Sequence, residues 1–409
     1  MKLHRYLAAL ALPIALLTTS CIEEPYKENP KGRGCYVEKE NNTAIESTTN
    51  AGSTIPLKIN IGSNSSKSWE ELLDIKIEKG EKNRHEHRGL EWFLDDIHLV
   101  RSSISERKKL SDITIAVLDT GVAYEDYKDP KTGIEYKKSA DLMKTKFVQG
   151  YDFINHDDHP NDDNQHGTFM TTVIAANGGT LGVASGVKIM PVKVLDKNRA
   201  GTELALIEGI NYAVQHGADI INMSLAFPTD YEPSQTLQNA IRNARNNGVI
   251  LVAPSGNGDL KGNGQNTINY PAKFLGVISV GAYRLTKMPG TERLERELSR
   301  YSNYGEGISL YAPGGALDQD INDDGHPDGI LAMTTHPTDP KKLGYWFQVG
   351  TSPSAAIVSG VAARLLAKEC PRGRIYEVLR ATPNNLDGVP VVDFLASVEK
   401  IKEYKLAQK

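Results

Sequence analysis

Three cysteines in 409 residues are too few for a fold built on disulfides. A dominant charge sign is also missing: 47 Lys and Arg stand against 51 Asp and Glu, a net charge of −4. No basic cluster with interleaved aromatics occurs, so nucleic acid is not an expected partner. The apolar run from Leu7 to Leu17 is too short to span a bilayer. No internal repeat is found. The length suits one large α/β domain with an appendage.

Three short words carry chemistry: Asp119-Thr120-Gly121, His166-Gly167-Thr168 and Gly350-Thr351-Ser352. They set an acid, a base and a nucleophile in that order. A serine hydroxyl is a poor nucleophile at neutral pH. It needs a base to take its proton, and the base needs a third group to fix its tautomer. Ser352 is the expected nucleophile, His166 the general base and then acid, and Asp119 the orienting carboxylate. The local patterns agree. The apolar, β-branched run Ile113–Leu118 reads as a buried parallel strand. Asp119 stands at its carboxyl end, where open α/β sheets carry their sites. Ser352-Pro353 reads as an N-cap with proline at the first helical position. An apolar helix follows through Ala355, Ala356, Ile357, Val358, Val361 and Leu365.

Each word alone is weak. Asp-Thr-Gly after a strand also marks aspartic proteases, which need two such carboxylates; this chain has one. Together and in this order the words resemble the subtilase family of serine proteases, over about Trp92 to Val398. The resemblance implies a serine endopeptidase that forms an acyl-enzyme on polypeptide substrate and needs no cofactor for catalysis. It also implies a side-chain amide in the oxyanion hole. Ser255-Gly256-Asn257 after the apolar run Val249–Ala253 supplies it as Asn257, with the Ser352 N–H as second donor. Ile220–Leu225 resembles the strand that pairs with extended substrate, making Ser224, Leu225 and Ala226 substrate-binding candidates. By analogy Asn269, before Tyr270-Pro271, lies near the base of the primary pocket and favours a modest or polar side chain there. The departures are Phe169-Met170 after His-Gly-Thr, Ala356-Ile357 for the usual Pro-His, and Ala226 where glycine is usual. A methyl at Ala226 would crowd substrate backbone.

Lys2, His4 and Arg5 before the apolar run read as a secretory signal over 1–20. Leu17-Thr18-Thr19-Ser20-Cys21 resembles a bacterial lipoprotein box, with Leu one residue early. It implies lipidation of Cys21, a membrane anchor, and export to the periplasm or cell surface; ordinary cleavage nearby is the alternative. Cys35 and Cys370 then remain as a pair able to bridge in an oxidising compartment, or as two free thiols. Residues 21–90 read as a tether or short pro-region, polar to about 66 and charged from 67 with a weak helix from Ser68. A peptidase domain over 91–400 and a tail over 401–409 complete the chain, which is expected to be a monomer.

From Asp112 strands alternate with helices. Strands are expected at 113–118, 187–195, 219–225, 249–254 and 276–282, and helices at 167–176, 202–216, 235–247, 353–369 and 373–381. This predicts a doubly wound, mainly parallel sheet with helices on both faces, plus a flexible N-terminal arm. One loop stands apart. Asp318, Asp320, Asn322, Asp324 and Asp328 crowd hard oxygen ligands around Gly325, matching the opening of a calcium loop. The closing Glu is replaced by Leu331, with Asp328 able to compensate; a solvated acidic turn is the alternative. Asp157, Asp158, Asp162 and Asp163 form a second acidic stretch before His166. Two rival functions remain: a catalytically silent polypeptide binder on the same scaffold, and a serine esterase.

Overall fold

The computed structural model describes residues 54–56, 90–258 and 262–407. The signal over 1–20, Cys21, Cys35 and the helix from Ser68 lie outside the described residues. Apolar β-branched runs that cannot face water make the central sheet. Its strand order is Leu294–Leu298, Val277–Lys287, Ile250–Pro254, Ile220–Asn222, Thr114–Asp119, Lys188–Lys193 and Lys146–Phe147. All pairs on this path are parallel except the first, which is an antiparallel edge. All six residues of Thr114–Asp119 are buried, as expected of a strand covered on both faces.

Helices cover those faces. Glu203–Gln215 and Gln235–Asn246 pack together against the sheet. Thr202 and Ser234 cap them, accepting from the N–H groups of Ala205 and Leu237. The second buries Leu237, Ala240, Ile241 and Ala244, one stripe at helical spacing. Gly217 and Gly248, at φ +77° and +75°, let the chain turn out of these helices. The helices His166–Ala175 and Thr351–Ala367 also pack on each other. Both are buried almost all round, so their apolar runs show little amphipathic period.

The fold departs from the sequence reading at its ends. Val277–Lys287 outruns the expected strand and forms a hairpin with Leu294–Leu298. Its outer half is charged, with Arg284 paired to Glu297 across the strands, so no apolar run announced it. The serine helix starts at Thr351, with Gly350 as N-cap. Ser352 is therefore inside the first turn and is not the cap. Pro353 is tolerated there because a first-turn nitrogen has no intrahelical acceptor to miss. The expected 373–381 helix is a short 3-10 turn, Arg372–Arg374, followed by Ile375–Leu379. The expected 401–409 tail is instead the end of a helix, Phe394–Ala407. Its Phe394 ring lies under the Arg364 guanidinium at 4.5 Å, and Ile401 is buried. Cys370 is a free, buried thiol among the described residues, and Cys35, its expected partner, lies outside them. Cys370 sits in the C-terminal helical layer, where burial pushes the thiol up to about 11 and keeps it protonated and inert at neutral pH.

A second small sheet packs against the His166 helix and leads into the serine helix. Ile330–His336 pairs antiparallel with Asp339–Gln348, and Gln348 lies two residues before Gly350. Thr54–Pro56, from the N-terminal arm, adds to the other edge of Asp339–Gln348, with Thr54 opposite Gln348. The Trp92 indole donates to the Gly329 carbonyl at 3.0 Å, which ties the start of the domain to this sheet.

Candidate active site

Asp119 ends the central strand. Its Oδ1 accepts from the Thr120 N–H at 2.7 Å and from His166 Nδ1 at 2.7 Å. His166 opens its helix, and its Nε2 is buried without a hydrogen-bond partner. Bonding at Nδ1 fixes the neutral tautomer with its lone pair on Nε2. Ser352 stands in the first turn of the helix packed against that of His166. Its hydroxyl points at the Ser224 carbonyl at 3.4 Å, and the Ser224 hydroxyl donates to the Ser352 carbonyl at 3.1 Å. Asp119, His166, Ser224 and Ser352 are all fully buried.

Asn257 follows the Ile250–Pro254 strand. Its Oδ1 accepts from both the Thr351 N–H, at 2.9 Å, and the Thr351 hydroxyl, at 2.7 Å. The backbone donor dictates which end of the amide is oxygen. Nδ2 is left buried and without a partner beside the first turn of the serine helix. A donor without an acceptor is costly in a protein interior and is what a site awaiting an oxyanion must hold ready.

The family model for the subtilase family matches residues 111–388. The chain belongs to the subtilase family. It is 31% identical to Subtilisin DY of Bacillus licheniformis over 283 residues, 68% of this chain and 86% of that protein. It is 35% identical to the major intracellular serine protease of Bacillus subtilis over 272 residues, covering 64% and 70%. Among solved structures, a protease from Pseudoalteromonas arctica PAMC 21717 superposes with a TM-score of 0.60 at 25% identity, covering 78% and 98%. This subtilase is thus a serine-protease-type hydrolase with a mainly parallel central sheet.

Several residues that position the site of this subtilase carried no word in the sequence. Asn222 is one, the single polar residue in Ile220–Met223. Its amide donates to the Ser224 hydroxyl and accepts from the Ser359 hydroxyl, both at 2.9 Å. An Asn inside an apolar strand was the available signal. Asp162 is another. Its fully buried carboxylate accepts from the Thr120 hydroxyl, the N–H groups of Asn164, Gln165 and Thr168, and the Thr168 hydroxyl. The Thr120 hydroxyl in turn accepts from the Gly167 N–H at 2.9 Å. One carboxylate so joins the Asp119 turn to the start of the His166 helix. Lys193 closes the network, donating to the Thr120 carbonyl and to Asp163. The stretch before His166 is therefore a brace. Burial pushes the Asp162 carboxyl up, while the Thr168 hydroxyl and the Lys193 charge pull it down. Five donors need an acceptor, so Asp162→Asn turns an amide NH2 toward N–H groups. The expected result is a loss of about 3 kcal/mol in stability, read as a lower denaturant midpoint.

The substrate-side candidates divide. Beyond Asn222 the chain leaves the sheet, and Ser224, Leu225 and Ala226 run buried past Ser352. Asn269 is buried with both ends of its amide engaged, donating to the Phe227 carbonyl at 2.7 Å and accepting from Asn303 at 2.9 Å. It fixes the turn after Ala226. In the acidic loop Asp318, Asp320 and Asp324 are exposed and Asp328 is buried. Among the described residues no three acidic, histidine or cysteine side chains already meet at one metal-binding point. None of the described helices is long and apolar enough to cross a membrane.

Proposed function

We propose that this subtilase is an exported, lipid-anchored endopeptidase that cleaves extended polypeptide through an Asp119–His166–Ser352 triad. One observation carries the triad: Asp119 holds His166 Nδ1, and the opposite nitrogen is buried and free to accept. The Ser352 hydroxyl is held by the Ser224 carbonyl and must leave it to reach His166 Nε2 for reaction. As Oγ bonds to the scissile carbonyl carbon, its proton passes to Nε2. The carbonyl electrons form an oxyanion that meets Asn257 Nδ2 and the Ser352 N–H, a first-turn donor without an intrahelical acceptor. The C–N bond then breaks and His166 returns the proton to the leaving amine. Water repeats the sequence on the acyl-enzyme.

Substrate would lie as an added strand along Ser224–Ala226, with Asn269 acting on specificity through the position of Phe227. The lipoprotein-like word at Cys21 supports the anchor. Thr54–Pro56 lies along the strand that leads into Ser352, which supports reading part of 21–90 as a pro-region that meets the site. A structural calcium ion in the 318–328 loop would add stability. The test is a fluorophosphonate probe on purified protein beside Ser352→Ala. Labelling that vanishes in the variant is the expected result. A folded protein labelled in neither form would favour the silent-binder reading.

A further inference from the structure

We infer that Lys193, a buried lysine outside the triad, is an electrostatic positioning residue. Its ammonium offsets the carboxylates gathered around the Asp119 turn. It thereby sets how far the pH can fall before His166 takes up a proton and stops acting as a base. The inference rests on the triad reading above.

Lysine almost never lies fully buried unless it is paired, and Lys193 is 1% exposed. Its place in the sheet is unusual too. Lys193 is the register partner of Asp119 on one neighbouring strand and of Asp152 on the other. Its Cα is therefore about 5 Å from each of theirs. Asp119 and Lys193 hold opposite ends of one residue. Asp119 accepts from the Thr120 N–H at 2.7 Å, and Lys193 donates to the Thr120 carbonyl at 2.6 Å. The second bond of the ammonium goes to Asp163, three residues before His166. An apolar side chain would fill the same space without desolvating a charge, so the charge itself calls for an explanation.

The carboxylates supply it. Asp119, Asp152 and Asp162 are buried, and Asp163 is 18% exposed. Asp152 accepts from the N–H groups of Ile154 and Asn155 and from the Asn155 amide. These donors are neutral, as are the five that hold Asp162. Burial pushes the Asp152 and Asp162 carboxyls up, and the Lys193 charge is among the effects that pull both down. One ammonium thus reaches the whole group. His166 must be neutral to accept the serine proton. Surrounding carboxylates favour its cation, and a nearby ammonium disfavours it. Removing the ammonium therefore makes His166 hold a proton at higher pH, and the acid limb of activity moves up.

Other charges also face His166. Its own helix carries none beyond it. The elements packed on that helix are Thr114–Asp119, Thr351–Ala367, Ile330–His336 and the turn Ala140–Leu142. They bring Asp119, Arg364, His336 and Asp141. Arg364 is taken by Glu106. Asp141 accepts from the N–H groups of Gly179 and Thr180 and from the Tyr345 hydroxyl. The loop before His166 adds the Glu125–His159 pair, bonded to the Asn161 amide, and Arg199, which donates to Asn164. Histidine is the side chain that titrates near neutral pH, so His159 and His336 each need a control.

The test measures kcat/KM for a fluorogenic peptide against pH. In parallel, NMR of histidine-labelled protein follows the His166 ring without turnover, its signal assigned by its loss in His166→Ala. Lys193→Met keeps the stem and removes the cation. Asp163→Asn removes an anion and keeps the cation. In Lys193→Met the acid limb and the His166 titration should both move up by about one pH unit. That is the size expected for a unit charge at roughly 8–10 Å and an effective dielectric of about 20. In Asp163→Asn both should move down, by about half a unit, because solvent screens a partly exposed charge. His159→Gln and His336→Gln should leave both where they are; a limb that follows either control instead of Lys193 overturns the inference. A limb and titration that stay put in Lys193→Met and Asp163→Asn, whatever happens to kcat, reduce Lys193 to a structural role and overturn it. Shifts of the same sign in the two variants do the same. Where Lys193→Met does not fold, Asp163→Asn decides alone: a downward shift supports the inference, and any other result overturns it. A protein that shows the stated titrations but takes no fluorophosphonate label fails as a peptidase and keeps the Lys193 coupling.

Discussion

Ser352→Ala lowers kcat for a peptide amide by on the order of a million-fold, the size of loss known for the same change in subtilisin, with KM little altered. The reason is chemical. Without Oγ there is no acyl-enzyme, and the only remaining route is direct attack by water. That route still benefits from binding and from the oxyanion donors, so a rate above the uncatalysed one persists. His166→Ala should cost about as much, because an unactivated hydroxyl is nearly as ineffective as a missing one. The double variant should lose almost nothing further, since the two residues act as one unit. The measurement is single-turnover and steady-state kinetics on a fluorogenic peptide, with folding checked by melting. A double variant that multiplies the two losses would mean that Ser352 and His166 act separately. The triad reading would then fall.

Removing the Asn257 donor is the second large effect. Asn257→Leu keeps approximate volume and removes the Nδ2 donor. The expected fall in kcat is roughly a hundred- to a thousand-fold, as for the equivalent donor in subtilisin, with KM nearly unchanged. The donor serves an oxygen that is charged only in the transition state, so ground-state binding should not feel its loss. Thr351 sharpens the prediction. Its N–H and hydroxyl both hold Asn257 Oδ1, so Thr351→Val removes one of two anchors and leaves the donor itself. A loss of about ten-fold or less is expected, and it should shrink further when Asn257 is already Leu. A rise in KM at constant kcat in Asn257→Leu would show that the amide binds substrate, and the oxyanion assignment would fail.

What was legible in the sequence followed local rules. The run before Asp119 was a strand because a β-branched apolar stretch of that length finds no better state. The helices at 203–215 and 235–246 were readable because Thr202 and Ser234 cap them and their apolar stripe has the helical period. The outer half of Val277–Lys287 was not, because Arg284 and Lys287 break the apolar run and the strand there is held by pairing with Leu294–Leu298 across the turn. The start of the serine helix moved two residues from its expected place. Asn257 holds Thr351 from 94 positions away, and no local propensity encodes that contact.

The same division holds for the site. The sequence alone determined the fold class and the identity of Asp119, His166, Ser352 and Asn257 as candidates, because their chemistry needs those side-chain types in recognisable turns. Only the tertiary structure decided how they are held. The Asp162 brace, the Asn222–Ser224 clasp and the engagement of Asn269 by Phe227 and Asn303 join residues far apart in the chain. Whether a polar group is satisfied depends on what the whole fold brings to it. The buried Nδ2 of Asn257 belongs to this class: it is an unmet hydrogen-bonding need, and such a need becomes visible only when every possible partner has its place in space.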